Sequence, residues 1–297
     1  HRGANSSKTL QMYEATQRHL INFLKEVNFK QSFYNAEKKA TDICIKDIDS
    51  EFAKEFKLFL QSTPTLNYNP DKPTTRKNLS PTSIRTYWIR FAVVINDAVT
   101  DGVINEHPFR NVEPPKKAPK EPKRVLTPKE IEQLKATPCP LPQLKEAFLF
   151  ACGTGLRASE INVLKWKNIV SRDGGIYLEL KQPKTDHTIV IRLKNQLVYL
   201  GEEMEENEKI FKGLRYDGQT NEVLKRWCAE AGIKEPFKIT SHVARHTFSV
   251  NMIKNEVPII YVSQILGHKD IRTTQRCYFH YLPKDSDKYM LNSVNFV

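Results

Sequence analysis

The chain has 297 residues, 39% of them hydrophobic, and a formal net charge of +12. That length exceeds what one hydrophobic core usually sustains, so two domains are expected. The charge favours polyanionic partners, because each Lys or Arg seated on a phosphate releases a counterion, but a solvated basic surface fits it as well. The cysteines (Cys44, Cys139, Cys152, Cys228 and Cys277) are odd in number, scattered and without a CxxC pair. That pattern argues against a disulfide framework or a zinc site and fits a reducing compartment. No apolar run approaches the roughly 20 residues of a membrane span, and the N-terminus lacks the apolar core of a signal peptide. The expected location is the cytoplasm. The chain does not begin with Met, so a further segment upstream is expected.

Leu10, Tyr13, Thr16, Leu20, Phe23 and Leu24 recur at three- and four-residue intervals and predict a first helix. Asp49 is a natural N-cap for a second, carrying Phe52, Phe56, Leu58 and Phe59. The Pro- and Asn-rich stretch from Gln61 to Asn78 reads as a loop. Ser80-Pro81 opens a third helix bearing Ile84, Tyr87, Ile89, Phe91, Val94 and Ile95. Arg85 and Arg90 lie on its polar face, with Arg76 and Lys77 just upstream. Residues 1–112 therefore read as a small helical domain with a basic face.

From Asn111 to Arg124 the chain runs NVEPPKKAPKEPKR. Its prolines deny helix and sheet. Lys116, Lys117, Lys120, Lys123 and Arg124 suit a strap along a phosphate backbone, and a plain solvated spacer fits the composition too. Residues 113–124 are taken as the linker and 125–297 as the second domain.

Thr127-Pro128-Lys129-Glu130 has the pattern of a capping box and marks the start of that domain. A buried helix is expected around Leu144–Cys152, broken by Gly153 and Gly155, with a short helix from Arg157 to about Leu164. Strand-like runs at Asn168–Val170, Ile176–Leu180 and Thr188–Leu193 predict a small antiparallel meander. Its turns fall at Asp173-Gly174-Gly175 and at Gln182–His187. Helical patterns resume near Gly218. The fold class is mainly α with a small antiparallel β-meander.

Four short elements carry chemistry. Arg157 and Glu160 are three residues apart at a helix start, so a carboxylate can orient a guanidinium that grips a phosphate; a surface salt bridge has the same spacing. His242 and Arg245, also three apart, place a proton-handling group and a fixed charge on one helix face. His268 follows Leu266-Gly267, with Tyr278 ten residues later. Lys184 lies in the turn between two strands.

Taken in order, Arg157 with Glu160, Lys184, His242-Val243-Ala244-Arg245, Leu266-Gly267-His268 and Tyr278 resemble the tyrosine recombinases, the phage integrase family. The likeness is sharp over residues 125–297 and has no sharp motif before the linker. It is similar in flavour to integrases of bacterial mobile elements such as conjugative transposons. The resemblance implies a helical core-binding domain followed by a mixed α/β catalytic domain. Many members carry the tyrosine nine residues after the histidine, which here is Cys277; another branch has ten followed by x-His, which Tyr278-Phe279-His280 fits. Tyr278 is therefore the expected nucleophile.

The resemblance also implies roles. Arg157 and Arg245 would clamp the scissile phosphate, Lys184 would protonate the leaving 5′-hydroxyl, and His242 would help take the Tyr278 proton. His268 would donate to the phosphate, and Glu160 would orient Arg157. A 3′-phosphotyrosine bond stores the phosphodiester energy, so no cofactor or metal is expected. The implied partners are double-stranded DNA attachment sites and, on DNA, a homo-tetramer of a chain that is monomeric when free. Accessory DNA-bending proteins and a missing N-terminal arm-binding domain are further implications. The apolar face of the tail 282–297 suits docking on a neighbouring subunit or on its own domain. A type IB topoisomerase-like relaxase shares the chemistry, and a DNA-binding protein without catalysis is the reading from another class.

Overall fold

A computed structural model describes residues 7–26, 43–63, 78–118, 122–182, 187–278 and 281. It divides into two compact units, His1–Lys120 and Glu121–Val297. Among the described residues no helix is long and apolar enough to cross a membrane. The expected loop residues 64–77 with Arg76 and Lys77, the strap residue Lys120, the turn residue Lys184, Phe279, His280 and the tail 282–297 lie outside the described residues.

Unit 1 contains α1 (Ser7–Glu26), α2 (Ser50–Ser62) and α3 (Pro81–Thr100). The helix starts follow local chemistry. Asp49 Oδ1 accepts from the Phe52 amide at 2.8 Å, and Ser80 Oγ accepts from the Ser83 amide at 3.1 Å ahead of Pro81. The core is aromatic: Phe23 lies 5.2 Å from Phe52 and 5.4 Å from Phe56, and Trp88 stacks on Phe109 at 4.7 Å. The expected stripes need correction. Leu10, Leu58, Ile89 and Val94 face solvent, while His19 and Trp88 are buried. On α3 the buried residues Ile84, Trp88, Phe91, Ile95 and Ala98 step by three or four, and Ile89 and Val94 fall off that stripe.

The strap does not start as a free spacer. Val112 and Pro115 are buried. Lys57 Nζ donates to the Glu113 carbonyl at 2.7 Å and Arg85 Nη1 to the Pro115 carbonyl at 2.6 Å. Arg85 thus holds the strap's first residues to α3. The Arg90 guanidinium sits 5.2 Å over the Tyr13 ring. Lys116 and Lys117 are exposed.

Unit 2 runs through α4 (Pro128–Ala136), α5 (Pro142–Thr154), α6 (Ala158–Ile161), β1 (Ile169–Arg172), β2 (Gly175–Lys181), β3 (Thr188–Leu193), α7 (Gly218–Glu230), α8 (Ser241–Lys254), α9 (Ile259–Ile265) and α10 (Ile271–Tyr278). Thr127 and Glu130 form the expected capping box. The strands pair antiparallel in the order β1-β2-β3, with Leu178 opposite both Ile169 and Ile191 and Leu180 opposite Ile189. Asp173 and Gly174, at φ of 48° and 67°, make the tight two-residue turn between β1 and β2, and Gly175 belongs to β2. Alternation sends Leu178, Leu180, Ile189, Ile191 and Leu193 into the core formed with α5 and α7.

Gly153 does not break α5, contrary to expectation; the helix runs through it to Thr154 and ends at Gly155. At φ of 74°, Gly155 turns the chain where an added Cβ would stand 2.5 Å from the Phe248 ring. Only glycine gives both the left-handed turn and that close approach to α8. The turn delivers Arg157 to the start of α6.

Candidate active site

The α8 residues His242, Arg245, His246 and Ser249 follow the i, i+3, i+4, i+7 rule and share one helix face. Thr247, on the opposite side, accepts from the Leu126 amide at 2.9 Å and pins the entry of unit 2 to this helix. Arg245 is buried, 5% exposed, so its position is fixed by what it bonds. Nη1 donates to the Gly155 carbonyl at 2.8 Å; Nη2 donates to the Leu266 carbonyl at 2.7 Å and contacts His268 Nε2 at 3.0 Å. These bonds use three of the five guanidinium N–H groups. Burial and then the charge of Arg157 lower its pKa to about 10, which leaves it cationic at neutral pH.

Arg157 is held by Glu160. One carboxylate oxygen accepts from the Arg157 amide at 2.7 Å and the other from Arg157 Nη1 at 2.6 Å. Glu160 is buried, which corrects the surface reading of this pair. Gln182 Nε2 donates to the same Glu160 oxygen at 2.8 Å and to the Leu266 carbonyl at 3.3 Å. Gln182 also closes the base of the β2–β3 turn, its amide donating to the His187 carbonyl at 2.8 Å. Gln182, just after β2, is thereby tied to the carboxylate that orients Arg157.

His268 sits just beyond α9, after Gly267 at φ of 63°. Burial, then Arg245 and Arg157, lower its pKa to about 4, so the ring is neutral at neutral pH. With Nε2 receiving the Arg245 hydrogen bond, Nδ1 carries the proton and donates to Thr274 Oγ1 at 2.8 Å. The α8 residue His242 is exposed at the edge of the group. Partial burial, then Arg245 and Arg157, lower its pKa.

Tyr278 closes α10. It is 2% exposed and packs with Phe248, Val250, Ile253, Val262 and Leu266. Its hydroxyl meets His246 Nδ1 at 2.8 Å. Burial raises its pKa, against the opposing effects of Ser249 and Arg245. Cys277 is half-buried beside it. Tyr281 Oη donates to the Lys123 carbonyl at 2.9 Å, bringing the last part of the strap to the chain after α10. Of the remaining strap cations, Lys123 is exposed, while Arg124 is engaged within unit 2 by Glu130 and by the Val125 and Lys234 carbonyls.

The structure therefore gathers Arg157, Glu160, His242, Arg245, His268 and Tyr278 from α6, α8, α10 and the turn after α9. Arg157 and Arg245 bring two guanidinium charges to this group, near enough that Arg157 lowers the Arg245 pKa. The phage integrase family model matches residues 124–284, and a phage integrase SAM-like domain matches residues 1–114. The chain belongs to the phage integrase family, the tyrosine recombinases. It is an enzyme of site-specific DNA recombination.

The chain is 29% identical to the tyrosine recombinase XerD of Listeria innocua over 219 residues, 67% of this chain and 72% of that protein. Against the tyrosine recombinase XerA of Pyrococcus furiosus it is 25% identical over 256 residues, 80% and 87% of the two chains. Among solved structures it shares its fold with a Tn1549 transposon integrase in complex with transposon right end DNA (TM-score 0.66, 19% identity, 98% and 95% covered). A lambda integrase dimer bound to a core site is similar too (TM-score 0.65, 18% identity, 96% and 91% covered).

Gln182, His246, Ser249 and Thr274 carry weight here and were not singled out in the sequence. His246 and Ser249 continue the helical spacing begun by His242 and Arg245, which was a readable signal. Gln182 and Thr274 are ordinary polar residues in sequence, marked only by burial in the fold.

Proposed function

We propose that the chain cuts and rejoins DNA through a 3′-phosphotyrosine bond at Tyr278, for integration or excision of a mobile element. The observation that carries this reading is the pair Arg157 and Arg245, each fixed by internal partners, beside a buried tyrosine on α10. Phosphoryl transfer adds negative charge to the phosphoryl oxygens, and preorganised cations stabilise it as it develops. Glu160 orients Arg157 and does not react. Burial, then the Arg245 and Arg157 charges, keep His268 neutral, and a phosphate between the arginines counters the charge-derived part, which favours a ring that donates to that phosphate. Lys184, two residues after Gln182 in the sequence, is the acid for the leaving 5′-oxygen, and His242 at the rim is a phosphate ligand.

DNA attachment sites are the substrate, a reading supported by similar folds solved on DNA. Lys116, Lys117, Lys120 and Lys123 line the strap for backbone contact, with Arg90 on α3. Arg85 and Arg124 act from inside the protein, holding the strap's two ends. A full exchange cuts four strands, so four copies assemble on two sites. Residues 1–112 serve as the core-binding domain, 113–124 as the strap and 125–297 as the catalytic domain, working where the DNA is, in the bacterial cytoplasm.

The test is a nicked duplex that loses the 5′-hydroxyl needed for religation. A covalent band on a denaturing gel that vanishes in Tyr278→Phe and persists in Cys277→Ser is the expected result. A band that survives Tyr278→Phe moves the nucleophile elsewhere.

A further inference from the structure

The proton of the attacking tyrosine must go to a named atom, and the geometry points elsewhere than His242. We infer that His246 is the base that takes the Tyr278 hydroxyl proton during strand cleavage and returns it during rejoining. This rests on reading Tyr278 as the nucleophile.

Three observations carry it. The His246 Nδ1 to Tyr278 Oη separation is 2.8 Å, a full hydrogen bond to the reacting atom. The rings meet at 5.8 Å and 64°, so the imidazole edge, not its face, addresses the hydroxyl. The His242 ring, by contrast, is exposed, with its centroid 6.3 Å from that of His246.

The protonation state agrees. Burial, then Lys123, His242 and Arg245, lower the His246 pKa to about 4. At neutral pH the ring is neutral, Tyr278 is the donor, and Nδ1 is the acceptor with Nε2 protonated. The groups facing this imidazole are Lys123 from the strap, His242 and Arg245 from α8, and Tyr278 from α10. Ser249 donates to the Arg245 carbonyl at 2.8 Å and its side chain also hydrogen-bonds the Tyr278 hydroxyl, but a serine hydroxyl is no base that keeps a proton at neutral pH.

The step balances. The Oη–P bond forms as the P–O5′ bond breaks, the Oη proton moves to Nδ1, and the general acid protonates the leaving O5′. Rejoining reverses each transfer. A phosphate held by Arg245 counters one of the charges that depress His246, so the base strengthens when substrate is in place.

The experiment follows single-turnover adduct formation by the 297-residue chain from pH 6 to 9. The probe is a duplex recovered by binding from a random-sequence pool and nicked to trap the adduct. His246→Asn keeps an acceptor near the Nδ1 position but cannot take up a proton. Its rate is expected to fall about 100-fold or more at neutral pH. The rate should then climb about tenfold per pH unit, since hydroxide must now generate the phenolate, while the native enzyme stays level. A His246→Asn profile as level as the native one, at any rate, overturns the assignment. If His246→Asn does not fold, His246→Ala with imidazole in solution replaces it; rescue supports the base, and an intact but unrescued variant refutes it. Tyr278→Phe separates the two readings. An adduct persisting there, or none from the native chain, defeats the nucleophile. Loss there with a level His246→Asn profile defeats only the base.

Discussion

Replacing Glu160 with Gln removes one charge and almost no volume, which isolates the carboxylate that orients Arg157. Glu160 accepts three hydrogen bonds, from the Arg157 amide, Arg157 Nη1 and Gln182 Nε2. A carboxamide has one oxygen. If that oxygen faces Nη1 and Gln182, its NH₂ opposes the Arg157 amide; the reverse orientation loses the other two. At the least, one charge-assisted bond of about 1.5–3 kcal/mol is lost and a donor of about 1–3 kcal/mol is left unpaired. Because the Arg157 side chain is 21% exposed and water screens part of the pair, about 3 kcal/mol is expected in all. For a unit of this size that lowers Tm by about 6–12 °C. With Arg157 released from its fixed orientation, adduct formation on the nicked duplex should slow by about 100-fold. Calorimetry and a denaturing gel read the two effects. A Glu160→Gln protein melting within about 2 °C of the native one and cleaving at its rate would refute the claim that this carboxylate holds the arginine.

Arg245→Lys should bind DNA yet cleave about 100-fold more slowly or worse, since one ammonium cannot reach both carbonyls and still face a phosphate; gel shift and adduct assays separate the two. Thr274→Val leaves the His268 Nδ1 proton without its acceptor and should slow adduct formation about tenfold, with Tm falling slightly. Gly155→Ala forces a Cβ to within 2.5 Å of Phe248 at a φ of 74°; a Tm drop together with lost cleavage is expected, measured against a Gly174→Ala control that meets open space. Acid should weaken unit 1. His19 is fully buried without a hydrogen-bond partner at either ring nitrogen, and burial, then Arg18, lower its pKa from 6.5 to about 4. The unfolded chain then binds more protons than the folded one between those pH values, so stability is intact above about 6.5 and falls towards 4. Hydrogen exchange in α1 and α3 should speed up over that range and do so far less in His19→Leu.

Residues that act through local spacing were legible. Asp49, Ser80 and Thr127 announce helix starts because a cap needs only its own side chain and the next turn. The order of Arg157, His242, Arg245, His268 and Tyr278 was equally plain. What sequence could not show depends on contacts between distant segments. Gly153 looks like a breaker, yet an otherwise buried helix carries through it and the turn falls at Gly155, where α8 presses close. Leu58 and Ile89 are as apolar as their neighbours and lie outside only because of where the partner helices pack. Gln182 became visible only once Glu160 and Leu266 were brought to it.

Arg245 rests on main-chain carbonyls from two remote stretches, Gly155 and Leu266, instead of on side-chain partners alone. A clamp built that way exists only when α5, α8 and the turn after α9 have all docked. A nascent or heat-loosened chain keeps its surplus of positive charge and so its attraction to a phosphate backbone. It lacks the clamp proposed for the scissile phosphate. Fold completion thus acts as a safety interlock on an enzyme whose errors would be written into a genome.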